Sequence, residues 1–219
     1  MSRNIFKSFL KKVDCNPSFN FIKTKENNLW KWHTREEILY NVNGCIDKLR
    51  DFRIEKGDRV IYKGRNSVEW LSWNLATYSM GAVWVPMYEQ QEIEHCNHII
   101  SDSGAKLFIT NQDLKFDNIH LISDKLEPCR NVINFNSQEN ELSNLIYTSG
   151  TTGKPKGVML SHENILSNID AIHNRFCDRP TGITSLNILP WAHIYGLTCE
   201  LYYNLLNENS VALCSDKLK

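Results

Sequence analysis

Ile146-Tyr-Thr-Ser-Gly-Thr-Thr-Gly-Lys-Pro-Lys-Gly-Val-Met-Leu-Ser-His-Glu-Asn164 is the stretch from which the rest of the chain is read. Ten positions, Thr148 to Gly157, hold four hydroxyls (Thr148, Ser149, Thr151, Thr152), three glycines (Gly150, Gly153, Gly157) and two lysines (Lys154, Lys156). Glycines let a loop bring its amides close to a ligand, and successive amides in a turn form a concave nest for anions. Hydroxyls and an ammonium complete a phosphate cradle. Asn144 to Thr148 and Lys156 to Leu160 read as short strands. Ser161 reads as the N-cap of a helix running through Ile165 to Phe176. The loop therefore joins strand to strand.

That mounting excludes a Walker-type phosphate loop, which needs four residues between its glycines and a Lys-Ser/Thr pair opening a helix. Here two residues separate Gly150 from Gly153, and Lys154 is followed by Pro155, which disfavours helical angles at that lysine. A Gly/Ser/Thr-rich surface turn remains the alternative. It explains neither the paired lysines nor the density of hydroxyls.

Outward from this loop the chain alternates helix and strand from Leu29 on. Thr34 and Glu37 form a capping box, and Ile38, Leu39, Val42, Cys45, Ile46, Leu49 and Phe52 keep helical spacing behind it. A strand is predicted at Arg59 to Tyr62, an apolar helix from Ser67 to about Met80, and a strand at Ala82 to Val85 ended by Pro86. A helix near Glu92 to Ile100 and a strand at Lys106 to Thr110 follow. Strands separated by helices of this length imply an α/β fold with mostly parallel sheets flanked by helices. Residues 1–28 are expected to form an N-terminal arm on a single domain, 1–219. Ile5, Phe6, Phe9, Leu10 and Val13 share one face of a basic amphipathic helix. Such a helix can lie on a membrane surface or pack on its own domain, and the second is the expectation here.

Lysine plus arginine equals aspartate plus glutamate at 25 each, so no nucleic-acid partner is expected. The seven cysteines are scattered without CxxC pairs, which reads as reduced thiols and neither a disulfide framework nor a zinc site. No apolar run approaches the roughly 20 residues of a membrane span, and no signal-peptide pattern opens the chain. A cytoplasmic protein is expected, with peripheral contact at a membrane surface as the alternative. His95 and His98 could share a metal, but a third ligand is missing, and a solvated helix face is the expected reading. Ser161, His162 and Ser185 lack a Gly-x-Ser-x-Gly elbow, so Ser161 is expected to be a cap and not a nucleophile.

Tyr147 to Gly157 resembles, without a gap, the signature loop of the AMP-forming adenylate synthetases, the superfamily of acyl-CoA synthetases, luciferases and peptide-synthetase adenylation domains. Lys156 falls on that family's fixed lysine and Lys154 on its variable position. Lys56 to Val60, Asn66 to Trp70, Gly81 to Pro86 and Asp102 to Lys106 are similar to its N-terminal landmarks in order, and Val85 to Glu89 is most similar to the long-chain fatty-acyl-CoA synthetase branch. The resemblance covers about Asn28 to the end. It implies an incomplete N-terminal large domain of the adenylate-forming fold, with Thr148, Ser149, Gly150, Thr151, Thr152, Gly153, Lys154, Lys156 and Gly157 wrapped around the phosphates of ATP.

A second segment, Ile188-Leu-Pro-Trp-Ala-His-Ile-Tyr-Gly-Leu197, is a strand end, a proline break and a polar-aromatic patch leading into an apolar helix to Leu206. The resemblance places Pro190, Trp191, His193, Tyr195 and Gly196 beside the substrate carboxylate and acyl channel, with Lys156 and His193 as catalytic residues. A core histidine bonded to a backbone carbonyl is the alternative for His193. The implied reaction converts a fatty acid to acyl-AMP and then acyl-CoA, with ATP, Mg²⁺ and CoA as co-substrates. Mg²⁺ would be held through ATP, with Thr148 as the one protein candidate.

The family's Tyr-Gly-x-Thr-Glu element, ribose-binding aspartate and C-terminal lid find no match here, so activity of the chain alone is not expected. A complementing C-terminal polypeptide is then an implied partner. The alternatives are a catalytically dead ATP- or acyl-binding protein, or an interaction protein that uses an open sheet edge.

Overall fold

The computed structural model describes residues 4–130, 141–148, 154–176 and 182–214. Its first half runs α1 (Ile5–Cys15), β1 (Asn20–Glu26), β2 (Leu29–Thr34), α2 (Arg35–Asp51), β3 (Arg59–Lys63), α3 (Val68–Ser79), β4 (Val83–Met87) and α4 (Ile93–Ser103). Its second half runs β5 (Leu107–Thr110), β6 (His120–Ser123), β7 (Leu142–Thr148), β8 (Lys156–Ser161), α5 (His162–Arg175) and β9 (Thr184–Asn187). A π-helical stretch, Gly196–Tyr202, then continues into α6 (Tyr203–Leu206), and β10 (Ser210–Leu213) follows.

Two sheets result. The larger has the order β6-β5-β3-β4-β7-β8, and the smaller β2-β1-β10-β9. Every pairing in the larger sheet is parallel except β7 with β8. In the smaller sheet only β1 with β2 is antiparallel. The expected α/β architecture with mostly parallel sheets is what forms.

Period-two alternation explains why the larger sheet needs cover on both faces. Val60 and Tyr62 of β3, Trp84 of β4, Leu107 and Ile109 of β5 and Ile146 of β7 point into the main core. Ile61, Val85, Met87, Phe108 and Tyr147 point the other way, onto Cys96 and Ile99 of α4. The main core also takes Phe21, Ile22, Val211 and Leu213 from the smaller sheet, so it lies between the sheets. There α3 is buried on every side, Val68 to Ser79 except Glu69. Trp70, Leu71, Trp73, Leu75, Ala76 and Tyr78 fill the core around it, and the buried hydroxyls of Ser72, Thr77 and Ser79 are satisfied by donating to Val68 O, Trp73 O and Ala76 O.

Several boundaries follow from local chemistry. Thr34 and Glu37 form the expected capping box, with Glu37 N–H to Thr34 Oγ1 at 3.2 Å and Thr34 N–H to Glu37 Oε2 at 2.8 Å. Ser67 caps α3 by accepting the Trp70 N–H. Ser161 caps α5 reciprocally with Asn164, so its hydroxyl serves the helix, as expected.

The N-terminal residues pack on the rest of the chain: Ile5, Phe6, Phe9 and Val13 are buried in the main core, and Asn20–Glu26 is a strand of the smaller sheet. Lys12 and the buried Arg35 both bind Glu208, at 2.9 and 3.1 Å, which ties α1 and α2 to the turn before β10. Pro86 does not end β4, because it pairs in register with Tyr62. The ladder of β4 to β7 consists of the single pair Trp84 with Asn144, and proline is tolerated where a strand runs past a neighbour. Finally, the helix after Leu197 opens as a π-helix, a geometry often found at functional positions.

Candidate functional site

The register of β7 against β8 brings together the two flanks of the hydroxyl- and glycine-rich loop. Ile146 faces Val158, Tyr147 faces Gly157 and Thr148 faces Lys156. Directly opposed residues of an antiparallel pair share a face, about 5 Å apart at Cβ. The Thr148 hydroxyl and the Lys156 ammonium therefore emerge side by side at the open end of the ladder, both exposed. Lys154 is exposed as well. Ser149, Gly150, Thr151, Thr152 and Gly153 lie outside the described residues. Side chains pack closely on Gly157: a Cβ there would lie 2.9 Å from Leu145 Cδ1 and 3.2 Å from Tyr147 Cζ.

Helix α4 meets both flanks. The Tyr147 hydroxyl donates to Asp102 Oδ2 at 2.6 Å, and burial, aided by that carboxylate, pushes the phenol well above its ordinary range. Pro155 O lies 2.8 Å from His98 Nε2, so that nitrogen carries the proton. The solvated-face expectation for His95 and His98 is thus corrected. Both rings are half-buried, and His95 Nδ1 lies 3.2 Å from Gln91 Nε2. Among the described residues no group of three or more His, Cys, Asp or Glu side chains could hold a metal.

A cavity of about 360 Å³ opens between these parts, walled by Tyr88, His95, Tyr147, Thr148, Pro155 and His193. It sits at the carboxyl ends of β4 and β7, where open α/β sheets place their ligands. The wall after β4 is pinned from beneath. Lys63, itself buried, donates to Glu89 O at 2.5 Å and to Gln112 Oε1 at 2.6 Å, and Arg65 grips the Glu89 carboxylate at 2.7 Å. Burial holds the Lys63 ammonium below its ordinary pKa.

The segment after β9 supplies the opposite wall. Its backbone is held by two side chains that the sequence reading did not single out for chemistry. Asn66, in the turn between β3 and α3, donates to Asn187 Oδ1 at 2.8 Å and to Leu189 O at 2.7 Å, and accepts the Trp191 N–H at 2.8 Å. Glu200, within the π-helical stretch, accepts from Ile188 N–H at 3.0 Å, Leu189 N–H at 3.3 Å and the Asn187 amide.

His193 is exposed and lines the cavity, so the core-histidine alternative does not apply. Its Nδ1 accepts the Tyr195 N–H at 3.2 Å, which places the ring proton on Nε2 in the neutral form. Tyr195 is 60% exposed, and Pro190 is exposed too. Trp191 stands apart from the others: its side chain is 0% exposed, packed edge-on against Trp70 at 5.5 Å, and it is not among the cavity walls. Gly196 is buried, and a Cβ on it would lie 2.5 Å from Pro190 O.

On the far side of Ile194 a second recess, about 350 Å³, runs between α5 and the π-helical stretch, lined by Leu160, Ile165, Ile172, Ile194, Tyr195 and Cys199. Ile194 lines both, so the His193-to-Tyr195 stretch divides the two recesses.

The chain is 28% identical over 177 residues to the mouse (Mus musculus) long-chain-fatty-acid–CoA ligase ACSBG2, covering 64% of this chain and 26% of that enzyme. It is 33% identical over 122 residues to the Bacillus subtilis (strain 168) long-chain-fatty-acid–CoA ligase, covering 55% and 19%. Its fold matches the crystal structure of ATP-bound MatB from Rhodopseudomonas palustris with a TM-score of 0.84 at 22% identity, over 100% of this chain and 46% of that one. The chain thus spans less than half the length of each of these three proteins. A family model described as AMP-binding enzyme matches residues 12–218, nearly the whole sequence, and on that extent the chain belongs to the AMP-binding enzyme family.

Proposed function

We propose that this chain carries the phosphate-gripping part of an ATP-dependent carboxylate-activating enzyme. In this reading it is the N-terminal portion of a long-chain acyl-CoA synthetase that converts a fatty acid to acyl-AMP and then acyl-CoA. The observation that carries the reading is the register that sets Lys156 opposite Thr148, a residue that lines the same cavity as His193.

A carboxylate is a poor electrophile, and transfer of AMP to it with loss of pyrophosphate builds negative charge on the phosphates. Lys156, with Lys154 beside it, supplies cationic stabilisation at that point, and the Thr148 hydroxyl supplies a donor or a Mg²⁺ ligand. Mg²⁺ would arrive with the triphosphate. His193 offers an Nε2–H to the acyl carboxylate or its adenylate. The apolar groove behind Ile194 takes the alkyl chain, with Tyr195 at its mouth. CoA attack and the nucleoside grip draw on parts that, by resemblance, lie outside this chain, in line with a complementing polypeptide.

The test is titration of Mg-ATP into the chain by calorimetry, with Lys156→Ala as the comparison. Saturable binding weakened about tenfold or more in the variant is expected, the size of one charge-assisted contact. ATP–pyrophosphate exchange with a long-chain fatty acid is expected only once a complementing polypeptide is added. Absence of nucleotide binding, or equal affinity in Lys156→Ala, overturns the reading.

A further inference from the structure

The two polar contacts from α4 to the base of the loop form a unit. Tyr147 immediately precedes Thr148 at the end of β7, and Pro155 immediately precedes Lys156 at the start of β8. Asp102 holds the first and His98 the second, at 2.6 and 2.8 Å. The two α4 residues are four apart, so they lie on one face of the helix, one turn apart. The β7–β8 ladder already pairs Thr148 with Lys156, so these contacts are not what closes the hairpin. They fix it against a third element, the helix whose His95 and Ile99 also wall the cavity.

We propose that Asp102 and His98 are positioning residues for the cavity: a two-point clamp by which α4 sets where Thr148 and Lys156 stand relative to His95 and His193. This rests on the functional reading above only for the identity of the ligand. Both contacts are well suited to positioning. Tyr147 is only 8% exposed, so its hydroxyl has little recourse to water if Asp102 is removed. Pro155 has no N–H, so its carbonyl is the one polar group by which its backbone can be held. Neither acid nor imidazole needs to touch the ligand for this role.

The clamp is tested by conservative and truncating variants compared in two measurements. Asp102→Asn keeps an oxygen to accept the Tyr147 hydroxyl, and His98→Gln keeps an N–H to offer Pro155 O; Asp102→Ala and His98→Ala keep neither. Hydrogen exchange of the peptide spanning residues 145–158, without ligand, is expected to accelerate about tenfold in each alanine variant and to stay near wild type in Asp102→Asn and His98→Gln, as one hydrogen bond dictates. Mg-ATP affinity is expected to fall in the same pattern while the melting temperature of the conservative pair is unchanged. Tyr147→Phe removes the first contact without touching α4 and should match Asp102→Ala, which keeps the test open if that variant does not fold. Unchanged exchange in the alanine variants, or conservative variants as impaired as the alanine ones, overturns the clamp. Failure of the wild type to bind Mg-ATP would count against the nucleotide reading alone, since the exchange measurement still decides the clamp.

Discussion

Asn66 and Trp191 join the two sheets through one side-chain amide: Asn66 Oδ1 accepts the Trp191 N–H while Nδ2 reaches Leu189 O and Asn187 Oδ1. Asn66 follows β3 of the larger sheet, and Trp191 follows β9 of the smaller one. A primary amide is the one side chain of this size with donors and an acceptor to meet all three groups. Asn66→Ala is therefore expected to destabilise the chain by about 3 kcal/mol, since it leaves part-buried backbone groups unmet. Asn66→Asp should be no rescue, because it sets a carboxylate against Leu189 O and Asn187 Oδ1. Urea midpoints decide this, and a loss under about 0.5 kcal/mol, typical of surface positions, would show the bridge to be incidental.

Gly196 provides a second check on the same segment. A Cβ at 2.5 Å from Pro190 O meets backbone, which has no rotamer by which to yield. Gly196→Ala is expected to cost about 1–3 kcal/mol and to push the Pro190-to-His193 stretch off the π-helix. The accompanying sign is a changed His193 ring resonance by NMR. An unchanged resonance with intact stability would place the segment's anchor elsewhere.

Much of this was legible in the residues. The β7–loop–β8 mounting, the Ser161 cap and the Thr34–Glu37 box are local chemistry, and local chemistry is what sequence patterns encode. The hairpin β1–β2 was not read, because Asn20 to Glu26 carries three charges and only two fully buried residues, so alternation is faint. Asn66 and Glu200 escaped for a different reason. Their partners are 121 or more and 11 or more residues away in the chain, and a lone Asn or Glu carries no pattern that announces them. Trp191 shows the converse: a residue within the quoted segment that the fold spends on the core. The loop residues Ser149 to Gly153, on which the functional reading leans, lie outside the described residues.

A buried polar chain offers a sharper prediction. Tyr78 Oη lies 2.7 Å from Asn144 Oδ1 and 2.7 Å from Tyr202 Oη, and Tyr202 Oη lies 2.8 Å from Asn74 Oδ1. Three contacts would then draw on only two hydroxyl protons, so one amide must turn its NH₂ inward. Asn144 is the better choice, because Ser143 Oγ lies 2.9 Å from the same atom and 3.0 Å from Leu160 O. The amide then donates to Tyr78 and Ser143, Ser143 to Leu160 O, Tyr78 to Tyr202, and Tyr202 to Asn74, each proton used once. Asn144→Asp should therefore be worse than Asn74→Asp by about 1–3 kcal/mol in chemical denaturation, the cost of losing donors that buried groups need. Equal losses would put the reversed amide at Asn74 instead.

His162 makes stability depend on pH in a predictable direction. It is 2% exposed, lies edge-on to Tyr78 at 4.7 Å, and its Nδ1 has no hydrogen-bond partner. Burial lowers its pKa from 6.5 to about 4 in the folded chain. Between those values the unfolded chain binds a proton that the folded chain refuses, so acid favours unfolding. The stabilisation is fully present above pH 6.5 and is lost as the pH falls toward 4. At about 1.4 kcal/mol per unit, the loss approaches about 3 kcal/mol at the lower end. His162→Phe keeps a ring against Tyr78 and removes the titration, so its stability should decline less than that of the wild type from pH 7 to pH 4.5. Denaturation midpoints at several pH values measure the difference. Parallel profiles for the two proteins would mean that the ring is already charged, or already wet, in the folded chain.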